Sequence, residues 1–251
     1  MAYSIKWFDT VDSTNYEALR QSEISEDFTV FAAKFQTNGR GQKGKSWESA
    51  VGENLTFSIL VKPNFLKVED QFLISEVVTL GIVNYLSKIG IDAKIKWPND
   101  IYVKDKKICG ILIEHYISGD KLSASIIGIG LNLNQGKFNS DAPNPTSVIN
   151  ETGIISDLDK ELGRLTSQIN DLYRKINIKS YERAAEKMNG KYLGKLYRLN
   201  EYHRYVDLNT NEEYEAKITG IDKCACLLLE RRDDGSSKSY AFKEIRYLLD
   251  S

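Results

Sequence analysis

Lys96-Trp97-Pro98-Asn99-Asp100-Ile101, then Lys107-Ile108-Cys109-Gly110-Ile111-Leu112-Ile113-Glu114, is the stretch on which the reading of this chain turns. In the first part a lysine ends a short strand, and a tight turn then presents an amide and a carboxylate. Asp100 suits a hard cation such as magnesium, which takes one or two carboxylates together with phosphate oxygens. Asn and Asp in turns also serve their own backbone, so spacing alone leaves both readings open. In the second part Lys107 opens an apolar strand. Entrance lysines are commonly surface charges with their stems on apolar neighbours, which again leaves two readings.

Outward from this stretch, strands dominate. Ala93 to Lys96, Ile101 to Val103, Ile108 to Tyr116 and Leu122 to Leu131 read as strands, with hairpin turns at Lys104-Asp105-Lys106 and Ser118-Gly119-Asp120. The last of them runs into Gly128-Ile129-Gly130-Leu131-Asn132-Leu133-Asn134. Two glycines in a strand cost stability and imply a bulge or the close approach of a ligand or another backbone. Upstream, Asp70 to Lys88 has apolar recurrences at helical spacing, and Leu55 to Val61 and Phe28 to Phe35 are strand-like. Gln36 to Ser46 is a polar loop holding Gly39-Arg40-Gly41-Gln42-Lys43-Gly44-Lys45-Ser46-Trp47. Its glycines let backbone amides face an anion and its cations complement phosphate or carboxylate; a solvated flexible loop is the plainer alternative. The spacing is not that of a P-loop. Ile5 to Phe8 is a short strand, and Thr14 and Glu17 have capping-box spacing for a helix reaching about Arg20.

Downstream, Asn134 to Pro145 is a loop, and Leu158 to Ile176 and Tyr181 to Met188 are helical. After Gly190 come only short strands: Lys195 to Leu199, Tyr205 to Leu208, Tyr214 to Ile221, Ala225 to Glu230 and Ser239 to Phe242. About sixty residues of this kind indicate a small β-barrel. The expected division is 1–190 and 191–251.

The bulk numbers narrow the function classes. The formal net charge of −1 gives no global attraction to nucleic acid or anionic membrane. Three cysteines, an odd count without a secretory leader, point to reduced thiols and a cytoplasmic setting. Cys224 and Cys226 are too closely spaced for the usual metal pair. No run approaches the ~20 apolar residues of a membrane helix. His115, at a strand end, and His203, in a turn, read as packing or surface residues.

Taken together, Asp12-Ser13-Thr14-Asn15, the glycine-arginine loop ending in Trp47, Lys96-Trp97-Pro98-Asn99-Asp100, Lys107 to Leu112 and Gly128 to Asn132 resemble the catalytic domain of the biotin protein ligases. The resemblance is strong over about residues 5–133. The tail is more weakly similar to that family's SH3-like domain. The resemblance implies an α+β fold: a mixed, largely antiparallel sheet flanked by helices, class II synthetase-like, with a C-terminal SH3-like β-barrel. It also implies a reaction in which biotin and ATP, with Mg2+, form biotinyl-5'-AMP. The biotinyl group then passes to a lysine of a biotin carboxyl carrier protein domain.

By the same resemblance, Ser13, Thr14, Asn15 and Gln36 bind the ureido end of biotin. Arg40, Gly41 and Gln42 cover the carboxylate and α-phosphate, and Lys107 holds the reacting oxygens together. Lys107 and Arg40 are thus the expected catalytic pair. Lys45, Trp47, Lys96, Asn99 and Asn132 are assigned to the nucleotide, and Asp100 to the metal. The loop from Asn38 to Ser46 is expected to order over bound ligand. Gln42 departs from the family's usual arginine, which shifts phosphate neutralisation onto Arg40, Lys43, Lys45 and Lys107 and loosens retention of the adenylate. Fewer than a dozen residues precede the first motif, so an N-terminal helix-turn-helix and DNA binding through it are not expected. Exposed strand edges allow a homodimer. The rival readings are a lipoate ligase or octanoyl transferase of the same fold, and a non-catalytic biotin-binding homologue.

Overall fold

The computed structural model describes residues 3–42, 46–139, 144–176 and 181–249. In chain order the elements are β1 (Ile5–Val11), α1 (Thr14–Arg20), β2 (Thr29–Gln36), β3 (Leu55–Val61), a 3-10 turn (Val68–Asp70) and α2 (Phe72–Lys88). Then come β4 (Lys94–Lys96), β5 (Asp100–Val103), β6 (Lys106–Ser118), β7 (Lys121–Leu131), α3 (Val148–Thr152), α4 (Leu158–Ile176) and α5 (Glu182–Leu193). The tail holds β8 (Tyr202–Asp207), β9 (Glu212–Ile221), β10 (Leu227–Arg231), β11 (Ser237–Tyr240) and β12 (Ile245–Tyr247).

The first seven strands form one sheet in the order β1-β2-β3-β7-β6-β5-β4. The β1–β2 pair is parallel and the others antiparallel, so the sheet is mixed as expected. Side chains alternate across a strand, and this alternation builds two unlike faces. Val30, Ala32, Leu55, Phe57, Ile59, Ile127, Ile129 and Leu131 belong to the main core with Leu73, Ile74, Val77, Leu165 and Ile169 of α2 and α4. Phe31, Leu60 and Ile126 face the other way and pack with Ala18 of α1. Gly81, inside α2, admits α4 at close range: a Cβ there would lie 2.6 Å from Ile169 Cγ1. That explains a residue that costs a helix interior about 1 kcal/mol relative to alanine.

The tail strands form a five-stranded antiparallel sheet, β11-β10-β9-β8-β12, consistent with an SH3-like unit. Among the described residues no helix is long and apolar enough to cross a membrane.

Several local expectations change. Ser13, not Thr14, is the N-cap of α1, and its side chain makes no cap bond; the capping box fails because Thr14 is engaged elsewhere. Lys195 to Leu199 is not a strand, since Arg198 and Asn200 hold left-handed backbone (φ 63° and 59°) that breaks a ladder. Only isolated bridges, Ile95 to Leu196 and Leu199 to Ile218, remain there. The helix expected to end at Met188 continues through Gly190 to Leu193.

Candidate active site

A polar pocket lies on the α1 side of the sheet. Ser13, Thr14, Asn15 and Ser58 are all buried. The Thr14 amide and hydroxyl both donate to Gln36 Oε1, at 2.8 and 3.2 Å. Ser58 Oγ, from the middle of β3, bonds to Thr14 Oγ1 at 2.8 Å and to Asn15 Oδ1 at 2.6 Å. Buried polar groups of this density persist only when each finds partners. Here the cluster presents both donors and acceptors, as a neutral amide-like ligand requires.

Beside this pocket the sheet is stripped of side chains. Gly110 faces Gly130 across β6 and β7, and Gly128 faces Leu112. A Cβ at Gly110 would lie 2.6 Å from Trp47 Cζ3, and one at Gly130 2.6 Å from Trp47 Cζ2. At Gly128 a Cβ would meet the Asn15 carboxamide. The glycines of the motif are therefore a flat floor on which Trp47 and Asn15 rest. Among the described residues the buried Trp47 Nε1 donor finds no partner, and neither do Asn99 Oδ1 and Asn132 Oδ1.

Lys107 reaches the same floor through a defect in the ladder. Ile101 pairs with Cys109 but the next residue, Tyr102, pairs with Lys107, so Ile108 is an inserted residue. Ile108 and Cys109 are both fully buried in the main core. A bulge of this kind re-aims its neighbours, and Lys107 Cε comes to 3.2 Å from where a Gly110 Cβ would stand. The Lys107 ammonium lies 2.8 Å from Asp100 Oδ2 and 5.8 Å from the Trp47 ring centre. Asn99 donates to Ile111 O at 2.9 Å and Asn132 to Thr146 O at 2.9 Å, both locked to backbone.

Lys96 stands over Tyr102, with Nζ 4.6 Å from the ring centre, and over Tyr247 of the tail at 4.9 Å. The tail also grips Trp97, whose Nε1 donates to Ala225 O at 2.9 Å. The Trp97–Pro98 peptide is cis.

Arg40 stands apart from Lys107. Its guanidinium forks onto Glu114 with both bonds at 3.0 Å and lies 4.4 Å from the centre of the Tyr16 ring. Burial works against its charge, but the Glu114 carboxylate outweighs that and lifts its pKa. About 13 Å of strand separates Glu114 from Gly110, beside Lys107. Gly41 and Gln42 follow Arg40 in the loop, while Lys43, Gly44 and Lys45 lie outside the described residues.

The structure thus groups Thr14, Asn15 and Gln36 in one pocket and Trp47, Lys107 and Asp100 beside it, with Asn99 and Asn132 flanking. Ser58 and Glu114 were missed as site residues. One is hidden in an apolar run, and the other looks like the polar end of a strand. His115 is a packed residue: Nδ1 shares a 2.8 Å bond with Ser125 Oγ, and burial lowers its pKa. A separate concavity of about 690 Å3, lined by Lys94, Lys104, Asp105, Arg198 and His203 among others, contains none of the motif residues.

The Biotin/lipoate A/B protein ligase family matches residues 4–132, which span the pocket, the glycine floor and the Lys107–Asp100 pair. The chain belongs to this family. Among curated members, the bifunctional ligase/repressor BirA of Escherichia coli (strain K12) is 29% identical over 250 residues, covering 96% of this chain and 73% of that protein. The biotin--[acetyl-CoA-carboxylase] ligase of Paracoccus denitrificans is 34% identical over 149 residues, 57% of this chain and 61% of that protein. Among solved structures, the Aquifex aeolicus biotin protein ligase in complex with biotin and ATP superposes with a TM-score of 0.77. It is 27% identical, and the alignment covers 98% of this chain and 99% of that one. Shared architecture on this scale makes the present chain a ligase of the biotin/lipoate class with the family's fold.

Proposed function

We propose that this chain activates biotin with ATP as biotinyl-5'-AMP and transfers the biotinyl group to a lysine of a biotin carboxyl carrier protein domain. The observation that carries this reading is the common sheet face. A buried polar pocket and a cation–carboxylate pair share it, with a floor bare of side chains beside them. Biotin is favoured as the acid because the relatives described above are named for it. The ureido head takes the Ser13–Asn15, Gln36 and Ser58 pocket, where donors and acceptors match a neutral ring.

Activation brings an anion to a polyanion. A biotin carboxylate oxygen attacks the α-phosphorus, and the bond to the pyrophosphate oxygen breaks. The acceptor's amine nitrogen then attacks the acyl carbon; AMP leaves and the amine loses its proton. Lys107, three-quarters buried, supplies positive charge at the point where the carboxylate and α-phosphate meet. The loop backbone at Gly41 and Gln42, beyond the Arg40 anchor on Glu114, covers that junction. Trp47, Lys96, Asn99 and Asn132 are assigned to the nucleotide, and the buried atoms of Trp47, Asn99 and Asn132 that find no partner among the described residues offer it hydrogen bonds. Lys45, outside the described residues, keeps its expected assignment to the nucleotide.

Magnesium fits only as a companion of the nucleotide. Among the described residues no cluster of three or more carboxylate, histidine or cysteine side chains exists to hold an ion alone. Asp100 with phosphate oxygens is the donor set such an ion accepts, and it would neutralise phosphate charge there. An Asp100 so engaged would no longer be held by Lys107, with which it pairs at 2.8 Å.

The test is incubation of the full chain with labelled biotin, ATP–Mg2+ and a carrier domain, with lipoate as a competing acid. Label is expected on the carrier lysine from biotin only. Lys107→Ala should abolish adenylate formation while biotin binding partly survives. Label transfer from lipoate in preference to biotin would sink the substrate assignment.

A further inference from the structure

Glu114 has both carboxylate oxygens committed, and to residues from two separate segments. Oε1 accepts from Arg40 Nη2 at 3.0 Å, and Oε2 accepts from Arg40 Nη1 at 3.0 Å and from Asn15 Nδ2 at 2.8 Å. The bond to Asn15 fixes the direction of that amide, so its oxygen faces Ser58 Oγ at 2.6 Å. The fork to Arg40 fixes the neck of the glycine-rich loop. Arg40 bridges Ser46 across that neck, and the Trp47 amide donates to Gly39 O at 3.1 Å. Trp47 in turn lies on Gly110 and Gly130. An unbroken line of contacts therefore runs from the polar pocket, through one carboxylate, to the indole beside Lys107.

We propose that Glu114 is a positioning residue that sets the Asn15 amide and the Arg40 loop neck together, so that Arg40 acts as the anchor of the loop rather than as a ligand of the phosphate. Three features support this division of labour. The Arg40 guanidinium is engaged on its edge by Glu114 and on its face by Tyr16. Both partners of the ion pair are less than a third exposed, so solvent screens it less than a surface pair. A bidentate fork also holds geometry in a way that a lysine at position 40 could not. The consequence for chemistry is that an acid seated against Asn15 and the indole over the reaction floor are held in one register. Lys107, beside the indole, supplies positive charge at the reacting oxygens.

This inference rests on the reading of the pocket as the acid site. It is tested by a double-mutant cycle on the full chain with Glu114→Gln, Arg40→Gln and the pair. Biotin affinity is measured by calorimetry without nucleotide, and kcat and KM for biotin by pyrophosphate exchange. Each single change should weaken biotin binding on the order of tenfold, the scale of one lost charge-assisted bond. The double should be no more than about threefold weaker than the worse single, because the two residues act as a unit. KM should carry most of the loss and kcat little, and thermal midpoints should not account for it. Independent, multiplying effects, or unchanged affinity in Glu114→Gln, would overturn the proposal. A wild-type chain that binds lipoate and not biotin would overturn the substrate reading instead, and the same cycle run with lipoate would still decide the role of Glu114.

Discussion

Glu76 offers the sharpest test of the electrostatics. It lies on α2, is only 4% exposed, and accepts one 2.8 Å bond from Asn189 Nδ2. Burial pushes its pKa from 4.5 up to about 7, against the smaller lowering effect of Asn189. A carboxyl raised in this way favours the folded state when protonated. Its contribution is fully present below the unfolded pKa and is lost as pH rises through about 7. Each pKa unit corresponds to about 1.4 kcal/mol, so between pH 5 and pH 8 the ionisation of Glu76 removes about 2 to 3 kcal/mol. Glu76→Gln keeps a carbonyl acceptor for Asn189 and cannot ionise. Urea unfolding of both proteins at intervals from pH 5 to pH 8 should show the variant gaining on wild type by that amount as pH rises. Parallel stability curves across this range would show that the carboxylate is solvated or paired and that the burial argument is wrong.

Other perturbations bear on the site. Gly130→Ala should displace the Trp47 ring and cut adenylate formation by about 100-fold, the scale of a 1 Å misplacement, with circular dichroism unchanged; near-normal pyrophosphate exchange would refute the floor. Trp97→Phe removes the bond to Ala225 O, and should lower unfolding free energy by about 1 kcal/mol and raise KM for ATP. A purely local effect on stability would deny the tail any influence on the nucleotide turn. Gln42→Arg adds a cation beside the proposed junction and should slow escape of the adenylate in a filter-release assay; equal release rates would show that position 42 does not face the phosphate.

Much of the sheet was legible because β-branched runs between turn residues can do little else, and the helix Leu158–Ile176 was read with its observed bounds. What escaped the reading depends on partners distant in sequence. The Thr14–Glu17 spacing suggested a capping box, yet Thr14 serves Gln36, 22 positions away. Glu114 looks like a polar strand end until Arg40, 74 positions away, is seen on it. Ser58 sits inside Leu55–Val61, a run whose every residue is buried, so no exposure pattern could reveal that one side of it is polar. The side to which Lys107 turns could not be read from alternation at all, because the extra residue at Ile108 reverses the count. For Lys195 to Leu199, apolar residues mimicked a strand while the left-handed backbone at Arg198 prevented one.

The bond from Trp97 to the carbonyl of Ala225 has a practical meaning for protein engineering. Asp222 Oδ1 holds the turn that carries that carbonyl by accepting the amides of both Cys224 and Cys226. Ala225 itself sits at φ 61°. A chimera that exchanged the small barrel for a homologous one would inherit a turn of different shape. The indole would then lose its tether, and the segment from Lys96 to Asp100 would lose a support that it does not itself encode. Swaps should therefore move the barrel and the Trp97 segment as one cassette.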